Sequence, residues 1–108
     1  MKVSILIPCY NEQSTIKEII NKINSQSNID KEIIVIDDNS NDKTREILEK
    51  DLKKSVNKII LNERNYGKGY SIKKGIENAS GDCILIQDAD LEYDPSDYDK
   101  LLDPIINN

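Results

Sequence analysis

The chain has 108 residues, a formal net charge of −5, 32% charged residues and 37% hydrophobic residues. This length suits one domain with one core, and the composition is typical of a soluble, folded protein rather than a disordered one. The acidic balance argues against a duplex nucleic-acid partner, because such binding depends on neutralising phosphates. The sequence has no His, which excludes a His general base and a His metal ligand.

The cysteine usage and the apolar runs indicate where the protein works. Cys9 and Cys83 lie far apart in the sequence. We interpret them as small buried residues in a reducing compartment, with a disulfide or a reactive thiol as the open alternative. The N-terminal apolar run is too short for a signal peptide, and no stretch reaches transmembrane length. We therefore expect a cytoplasmic protein, with attachment at a membrane face left open.

The first half of the chain predicts two strand–helix units. The β-branched run "KVSILIP" predicts a strand, and Thr15 with Glu18 fits a capping box at the start of the helix that follows. Apolar residues recur at helical spacing in that helix, at Ile16, Ile19, Ile20 and Ile23. A second strand at Ile33–Ile36 leads to a helix with Asn41 or Asp42 as its cap. The inward residues of this second helix are Ile47, Leu48 and Leu52.

The second half continues the alternation of strands and helices. "NKIILNE" predicts a third strand, and the glycine-containing loop "NYGKGYS" leads to a helix at Ser71–Ala79. "DCILIQDAD" predicts a fourth strand, and Pro95 begins a last helix. Right-handed crossovers then give an α/β fold, a Rossmann-like and mostly parallel sheet with helices on both faces. We expect residues 1–108 to form one domain with strand order 3-2-1-4.

Polar residues follow three of the predicted strands directly. The first strand ends in "PCYNE", the second in "DDNS" and the fourth in "QDAD". In the order 3-2-1-4 these three ends are neighbours at one edge of the sheet. Ligands of open parallel sheets bind outside the carboxyl ends of the strands, so this edge is the predicted site.

Asp88 and Asp90 are separated by one residue and point the same way if the segment is extended. Like charges so close raise each other's pKa, and a divalent cation removes the repulsion. Mg²⁺ and Mn²⁺ prefer oxygen ligands, and Mg²⁺ commonly combines one or two carboxylates with substrate phosphates. The alternative is a solvated acidic turn that caps the next helix. The position at a strand end favours a metal on Asp88 and Asp90.

Two further groups are candidates for contact with a nucleotide. Asp37 and Asp38 end the second strand, and we expect one to form an Asx-type turn and the other, Asp38, to contact a ligand. Lys68 lies between Gly67 and Gly69, where backbone and ammonium could approach phosphate. A flexible loop before a helix is the alternative interpretation of that glycine-containing segment.

Taken together, "SILIPCYNE", "EIIVIDDNSNDKT" and "GDCILIQDADLEYDP" resemble the N-terminal, nucleotide-sugar-binding half of family 2 glycosyltransferases with the GT-A fold. The likeness is greatest to polyprenyl-phosphate and dolichol-phosphate sugar transferases. The resemblance implies that Asp38 binds base or ribose and that Asp88 and Asp90 form the D-x-D pair. The other implied nucleotide-pocket residues are Pro8, Tyr10, Glu12 and Ala89.

The resemblance also implies an activity. It is the transfer, with inversion, of a sugar from a nucleotide-diphospho-sugar to an acceptor, with Mg²⁺ or Mn²⁺ on the D-x-D pair and a polyprenyl phosphate as one candidate acceptor. Members of this family normally continue well beyond the D-x-D segment, where the acceptor site and the catalytic base lie, so the base is unassigned. A truncated domain, a half-enzyme that needs a partner or a second copy, and a non-catalytic binding module therefore remain alternatives. A receiver-like signalling domain is the remote alternative. Such a domain carries its acid pair after the first strand, whereas the first strand here ends in "PCYNE".

Overall fold

A computed structural model describes residues 1–89, and within this range four strands alternate with helices. The elements are β1 (Val3–Cys9), α1 (Ile16–Asn24), β2 (Lys31–Asp37), α2 (Thr44–Glu46, continued by a π-helical turn at Ile47–Asp51), β3 (Lys58–Leu61), α3 (Lys68–Asn78) and β4 (Cys83–Ile86). The predicted helix from Pro95 lies outside the described residues, and so does Asp90. Within residues 1–89, no helix is both long enough and apolar enough to cross a membrane.

The strands form a parallel sheet in the order β3-β2-β1-β4, which confirms the predicted topology. In the register between β1 and β2, Cys9 lies opposite Asp37, so these two strands end level with each other. On the other side of β1, Leu6 lies opposite Ile86 of β4. The polar segments that follow β1, β2 and β4 therefore leave the sheet at one edge.

Most of the core lies between one face of the sheet and the first two helices. β1 is buried along its whole length, and its odd-numbered residues face this side. The four isoleucines of α1 that recur at helical spacing are all fully buried, which confirms the predicted inner face of that helix. From α2 and the turn that follows it, Leu48 and Leu52 are buried in the same cluster and Ile47 packs against it.

The opposite face of the sheet is covered by α3, which approaches closely at Gly75. A Cβ at that position would lie 2.9 Å from Cδ1 of Ile36 and 3.0 Å from Cδ1 of Leu6. This face is less completely covered than the first, since Ile84 and Ile86 of β4 are 42% and 43% exposed. The expectation that strands are buried on both faces therefore holds for β1 and fails for β4.

Several predicted local features differ in the structure. The capping box of Thr15 and Glu18 is wrong, because the N-cap Thr15 makes no side-chain cap bond and its hydroxyl contacts Glu12 and Ala89 instead. Helix α3 begins at Lys68, three residues before the predicted start, so Gly69 lies in its first turn rather than in a loop.

Two other local predictions concern the start of α2 and the length of β4. The predicted cap of α2 is wrong, because the N-cap is Lys43 rather than Asn41 or Asp42 and it makes no side-chain cap bond. Asp42 instead accepts hydrogen bonds from the backbone and the hydroxyl of Thr44. Strand pairing of β4 stops at Ile86, before the predicted strand ends, and leaves Gln87 and Asp88 in an irregular segment.

A buried polar cluster joins the amino ends of three strands. The Glu32 carboxylate accepts hydrogen bonds from the Ser4 hydroxyl at 2.6 Å and from the Ser80 backbone N–H at 2.5 Å. Burial by itself raises the pKa of the Glu32 carboxyl. These hydrogen bonds and the nearby ammonium of Lys2 outweigh that effect, and they lower the pKa from 4.5 to about 2. The ionised form of Glu32 therefore stabilises the fold.

This cluster predicts how stability depends on pH. A depressed pKa in the folded state contributes stability that is complete above the ordinary pKa and is lost as pH falls from about 4.5 towards 2. Glu32→Gln should cost up to about 3 kcal/mol near pH 7 and should flatten the pH dependence between pH 5 and 2. Urea unfolding across this pH range tests it. Parallel curves for the two proteins would contradict the role of Glu32.

Gly81 predicts a second stability effect at the same end of the sheet. A Cβ at Gly81 would lie 2.6 Å from the Ser4 hydroxyl oxygen and 2.8 Å from the Ser4 backbone nitrogen. Because rigid backbone is part of this contact, Gly81→Ala should cost about 1–3 kcal/mol in urea unfolding. Gly69→Ala is the matched control, because nothing lies within 4 Å of its Cβ position and Ala favours helix. Equal stability of the two variants would refute the packing argument.

Candidate functional site

A cleft of about 270 Å³ lies at the carboxyl edge of the sheet. It is lined by Pro8, Cys9, Tyr10, Glu12, Asp38, Lys68, Ser71, Asp88 and Ala89. All of the predicted site residues among residues 1–89 are in this set, and the remaining one, Asp90, lies outside the described residues. The structure thus brings together residues that are separated by up to 81 positions (8 to 89) in the sequence.

The segment after β1 is held by side chains of the β2–α2 connection. Asn11 has a φ of 53°, its backbone N–H donates to the Ser40 hydroxyl at 2.9 Å, and its side-chain oxygen accepts from the Asn41 backbone. The Glu12 backbone N–H donates to the Thr44 hydroxyl at 2.9 Å. Tyr10 lies on this fixed segment and is 43% exposed at the cleft, so its ring is available to a ligand.

The segment after β4 is fixed by the start of α1. The Thr15 hydroxyl lies 2.6 Å from the Ala89 carbonyl oxygen and 3.0 Å from a carboxylate oxygen of Glu12. Thr15 therefore joins the ends of β1 and β4 across the cleft. This role is not apparent from the sequence, because the position of Thr15 at a helix start is explained equally well by capping.

The fully buried Asp37 carboxylate organises the end of β2. It accepts from the backbone and hydroxyl of Ser40 at 3.0 and 2.5 Å, and from Nε of Arg45 at 2.5 Å. Arg45 also donates to the backbone carbonyl of Asn62, which follows β3. Asp37 thus forms the predicted turn, and through Arg45 it connects the ends of β2 and β3.

Cys9 lies beside Asp37 and is not suited to nucleophilic chemistry. Its thiol is 3.8 Å from a carboxylate oxygen of Asp37. Burial, followed by the negative charges of Asp37 and Glu12, raises the pKa of the Cys9 thiol far above its ordinary value. Cys9 and Cys83 are both free thiols, with Cys9 buried and Cys83 partly buried. This agrees with the interpretation of Cys9 as a packing residue.

Asp38 faces the cleft but also holds the loop that precedes α3. It is 5% exposed, and its carboxylate accepts from the Asn62 side chain and the Tyr66 N–H at 2.9 Å each and from the Gly67 N–H at 2.8 Å. Gly67 has a φ of 100°, a conformation that favours glycine. The residue predicted to contact base or ribose is therefore also a structural residue. The role of Asn62 was not predicted from the sequence.

Lys68 and Asp88 form an ion pair across the cleft, from the first residue of α3 to the segment after β4. Their side chains are 58% and 23% exposed, respectively. Within residues 1–89 no three acidic or thiol side chains converge on a common position for a metal ion. Asp88 offers one carboxylate to a cation that takes its other ligands from phosphates and water, and such a cation competes with the ammonium of Lys68 for it. Asp90, the second predicted ligand, lies outside the described residues.

The fold and the cleft define a class of protein, the Rossmann-like α/β domains that bind ligands beyond the carboxyl ends of a parallel sheet. Comparison with known families is more specific. The model of Glycosyl transferase family 2 matches residues 4–108. The chain belongs to this family, and its sheet is that of the GT-A fold.

Two curated relatives are similar over nearly the whole chain. A dolichol-phosphate mannosyltransferase of Pyrococcus furiosus is 36% identical over 108 residues, which cover 99% of this chain and 31% of the relative. An undecaprenyl-phosphate 4-deoxy-4-formamido-L-arabinose transferase of Salmonella choleraesuis is 38% identical over 106 residues, 94% of this chain and 32% of the relative. The chain thus spans about a third of the length of these relatives.

Solved structures show the same fold with donor ligands bound. S. aureus TarS 1–349 in complex with UDP-GlcNAc matches with a TM-score of 0.79 and 29% identity, covering 98% of this chain and 30% of the TarS 1–349 chain. The mannosyltransferase PcManGT of Pyrobaculum calidifontis, in complex with GDP-Man and Mn²⁺, matches with a TM-score of 0.74 and 25% identity. The match covers 82% of this chain and 27% of PcManGT.

The ion pair of Arg45 and Asp37 predicts a third stability effect. Arg45→Met leaves a fully buried carboxylate without its cation and should cost about 3 kcal/mol in urea unfolding. Asp37→Asn combined with Arg45→Met should cost less than the sum of the two single changes, because the double variant has no unpaired charge. Lys50→Met, which breaks an exposed pair with Glu46, is the control and should leave the stability nearly unchanged, because solvent screens such a pair. If the unfolding costs of the two single variants add up to the cost of the double variant, the coupling between Asp37 and Arg45 is contradicted.

Proposed function

We propose that this chain binds a nucleotide-diphospho-sugar in the cleft and is the donor half of an inverting, metal-dependent glycosyltransferase. The observation that carries the proposal is the meeting of Tyr10, Asp38, Lys68 and Asp88 in one cleft at the edge where the strand ends converge. Relatives of the family support it, since TarS is seen with UDP-GlcNAc and PcManGT with GDP-Man and Mn²⁺.

Each side of the cleft suits one part of such a donor. Pro8 and Tyr10 offer an apolar and aromatic wall for the nucleoside, and Glu12 adds a carboxylate on the same fixed backbone segment. The Asp38 carboxylate has lone pairs left after its three hydrogen bonds, and it is proposed to accept a further hydrogen bond from the base or the ribose. Ala89, with its small side chain, lets the nucleotide approach the segment after β4.

The charged side of the cleft suits the diphosphate. Asp88 and Asp90 are the proposed ligands of Mg²⁺ or Mn²⁺, and the ammonium of Lys68 is the proposed direct contact of a phosphate oxygen. When bound, the metal ion would stabilise the negative charge that grows on the departing nucleoside diphosphate. The chain's own residues hold the donor and supply the charges that surround it.

The acceptor side is proposed from the relatives, whose names specify dolichol phosphate and undecaprenyl phosphate. A lipid phosphate is accordingly the proposed acceptor, and work at the cytoplasmic membrane face is the proposed location. The catalytic base stays unassigned: of the cleft's acids in residues 1–89, Glu12 contacts Thr15, Asp38 holds a loop and Asp88 pairs with Lys68.

A donor-binding module or a half-enzyme completed by a partner, a second copy or a further segment is the second candidate. One observation favours it. Ile84 and Ile86 leave an apolar strip of β4 exposed. Release of sugar from UDP- or GDP-sugars in the presence of Mn²⁺ would separate the enzyme from the binding module.

Binding of nucleotide tests the proposal directly. Calorimetric titration with UDP and GDP, each with Mn²⁺ or with EDTA, should show binding that needs the cation. Asp88→Asn and Asp90→Ala should each weaken Mn²⁺-dependent binding by more than about tenfold. Loss of a residue that only hydrogen-bonds to a metal ligand already lowers metal affinity by about that factor, and loss of a ligand should lower it further.

The control is Asp51→Asn, which removes an equal charge from an exposed pair with Lys17 on the far side of the first helix layer. It should bind as the wild type does. Equal affinity with EDTA and with Mn²⁺ would contradict the metal assignment, and a lack of binding to both nucleotides would contradict the donor site.

A further inference from the structure

The ion pair between Lys68 and Asp88 occupies the part of the cleft that the proposed function gives to a metal ion and a diphosphate. Both residues line the cleft, and they approach from opposite sides of it. The positive charge nearest to the Asp88 carboxylate in the described structure is thus supplied by the chain itself. A metal ion that approaches Asp88 must compete with this ammonium.

The position of Lys68 is set by the backbone rather than by the ion pair alone. Lys68 follows Gly67, whose N–H donates to the buried Asp38 carboxylate at 2.8 Å, and the neighbouring Tyr66 N–H donates to the same group. The side chain of Lys68 is 58% exposed, so it can turn from one anion to another while its backbone stays in place. A diphosphate in the cleft offers such a second anion.

We infer that Lys68 is a resident counter-ion of Asp88 that is exchanged when the donor binds: the ammonium moves to the diphosphate and frees Asp88 for the metal ion. This inference rests on the proposed function. It makes Lys68 the source of a coupling between two ligands. The cleft without nucleotide binds a metal ion weakly. Metal and nucleotide each raise the affinity for the other, and this coupling is larger than the direct contact between them would give.

The physical basis is the linkage between the two binding events. Without nucleotide, Mn²⁺ must displace Lys68 from Asp88 and leave two cations close together, which is unfavourable. With nucleotide, the ammonium pairs with the diphosphate, and Asp88 regains its full negative charge for the metal. Because linkage is reciprocal, Mn²⁺ must raise the affinity for nucleotide by the same factor.

The test measures Mn²⁺ affinity with and without UDP or GDP, by electron paramagnetic resonance of free Mn²⁺, with correction for the Mn²⁺–nucleotide complex in solution. Lys68→Met should bind Mn²⁺ alone about two- to fivefold more tightly than the wild type, the range expected for a partly exposed pair. In the presence of Mn²⁺ it should bind nucleotide more weakly than the wild type, and the coupling between nucleotide and Mn²⁺ should fall. Lys68→Arg keeps the charge and should behave like the wild type.

Lys74→Met is the matched control, because it removes the same charge from the same helix where Lys74 contacts Tyr70 and Glu77 outside the cleft. Nucleotide binding that persists in Lys68→Met with unchanged affinity for Mn²⁺ alone would overturn the exchange and leave the proposed function standing. Equal effects of Lys68→Met and Lys74→Met would also overturn it. A wild-type chain that binds neither nucleotide with Mn²⁺ would overturn the proposed function, and the exchange with it.

Discussion

The buried carboxylate of Asp37 is the constraint on which the rest of the cleft depends. It fixes the turn after β2 through Ser40 and connects β2 to the end of β3 through Arg45. The same turn positions Ser40 to accept the Asn11 N–H, and so it also fixes the segment after β1. One ionised group with no exposure thereby sets the relative positions of three strand ends. The next residue, Asp38, is then directed to the loop before α3.

The distribution of charge follows from this arrangement. Parallel pairing of β1 with both β2 and β4 brings acidic segments to one edge, where their repulsion must be offset. Arg45 offsets the charge of Asp37, backbone N–H groups offset that of Asp38, and Lys68 offsets that of Asp88. Of the two side chains among these partners, Lys68 is the more exposed, at 58% against 30% for Arg45. Asp88 is therefore the acid at this edge whose counter-ion can be replaced by a ligand at little cost to the fold.

The sequence predicted the sheet order and the position of the site because both follow from patterns along the chain. Alternating strands and helices determine the crossovers, and the polar strand ends identify the edge. Arg45 and Asn62 were not predicted, because an Arg in a short helix and an Asn after a strand look solvent-exposed until the neighbouring strand is in place. Thr15 was assigned to a capping box because sequence spacing cannot reveal its contact with Ala89, which is 74 positions away.

The central claim is that a nucleotide binds where the ends of β1, β2 and β4 meet. Amide chemical-shift mapping by NMR, with UDP or GDP and diamagnetic Mg²⁺, tests it most directly. The account predicts that shifts concentrate at residues 9–12, 38–40, 66–69 and 88–89, while the amides near Glu32 and Ser80 at the opposite end of the sheet stay unchanged. Shifts that cluster around Glu32 and Ser80, with the carboxyl edge unaffected, would contradict it.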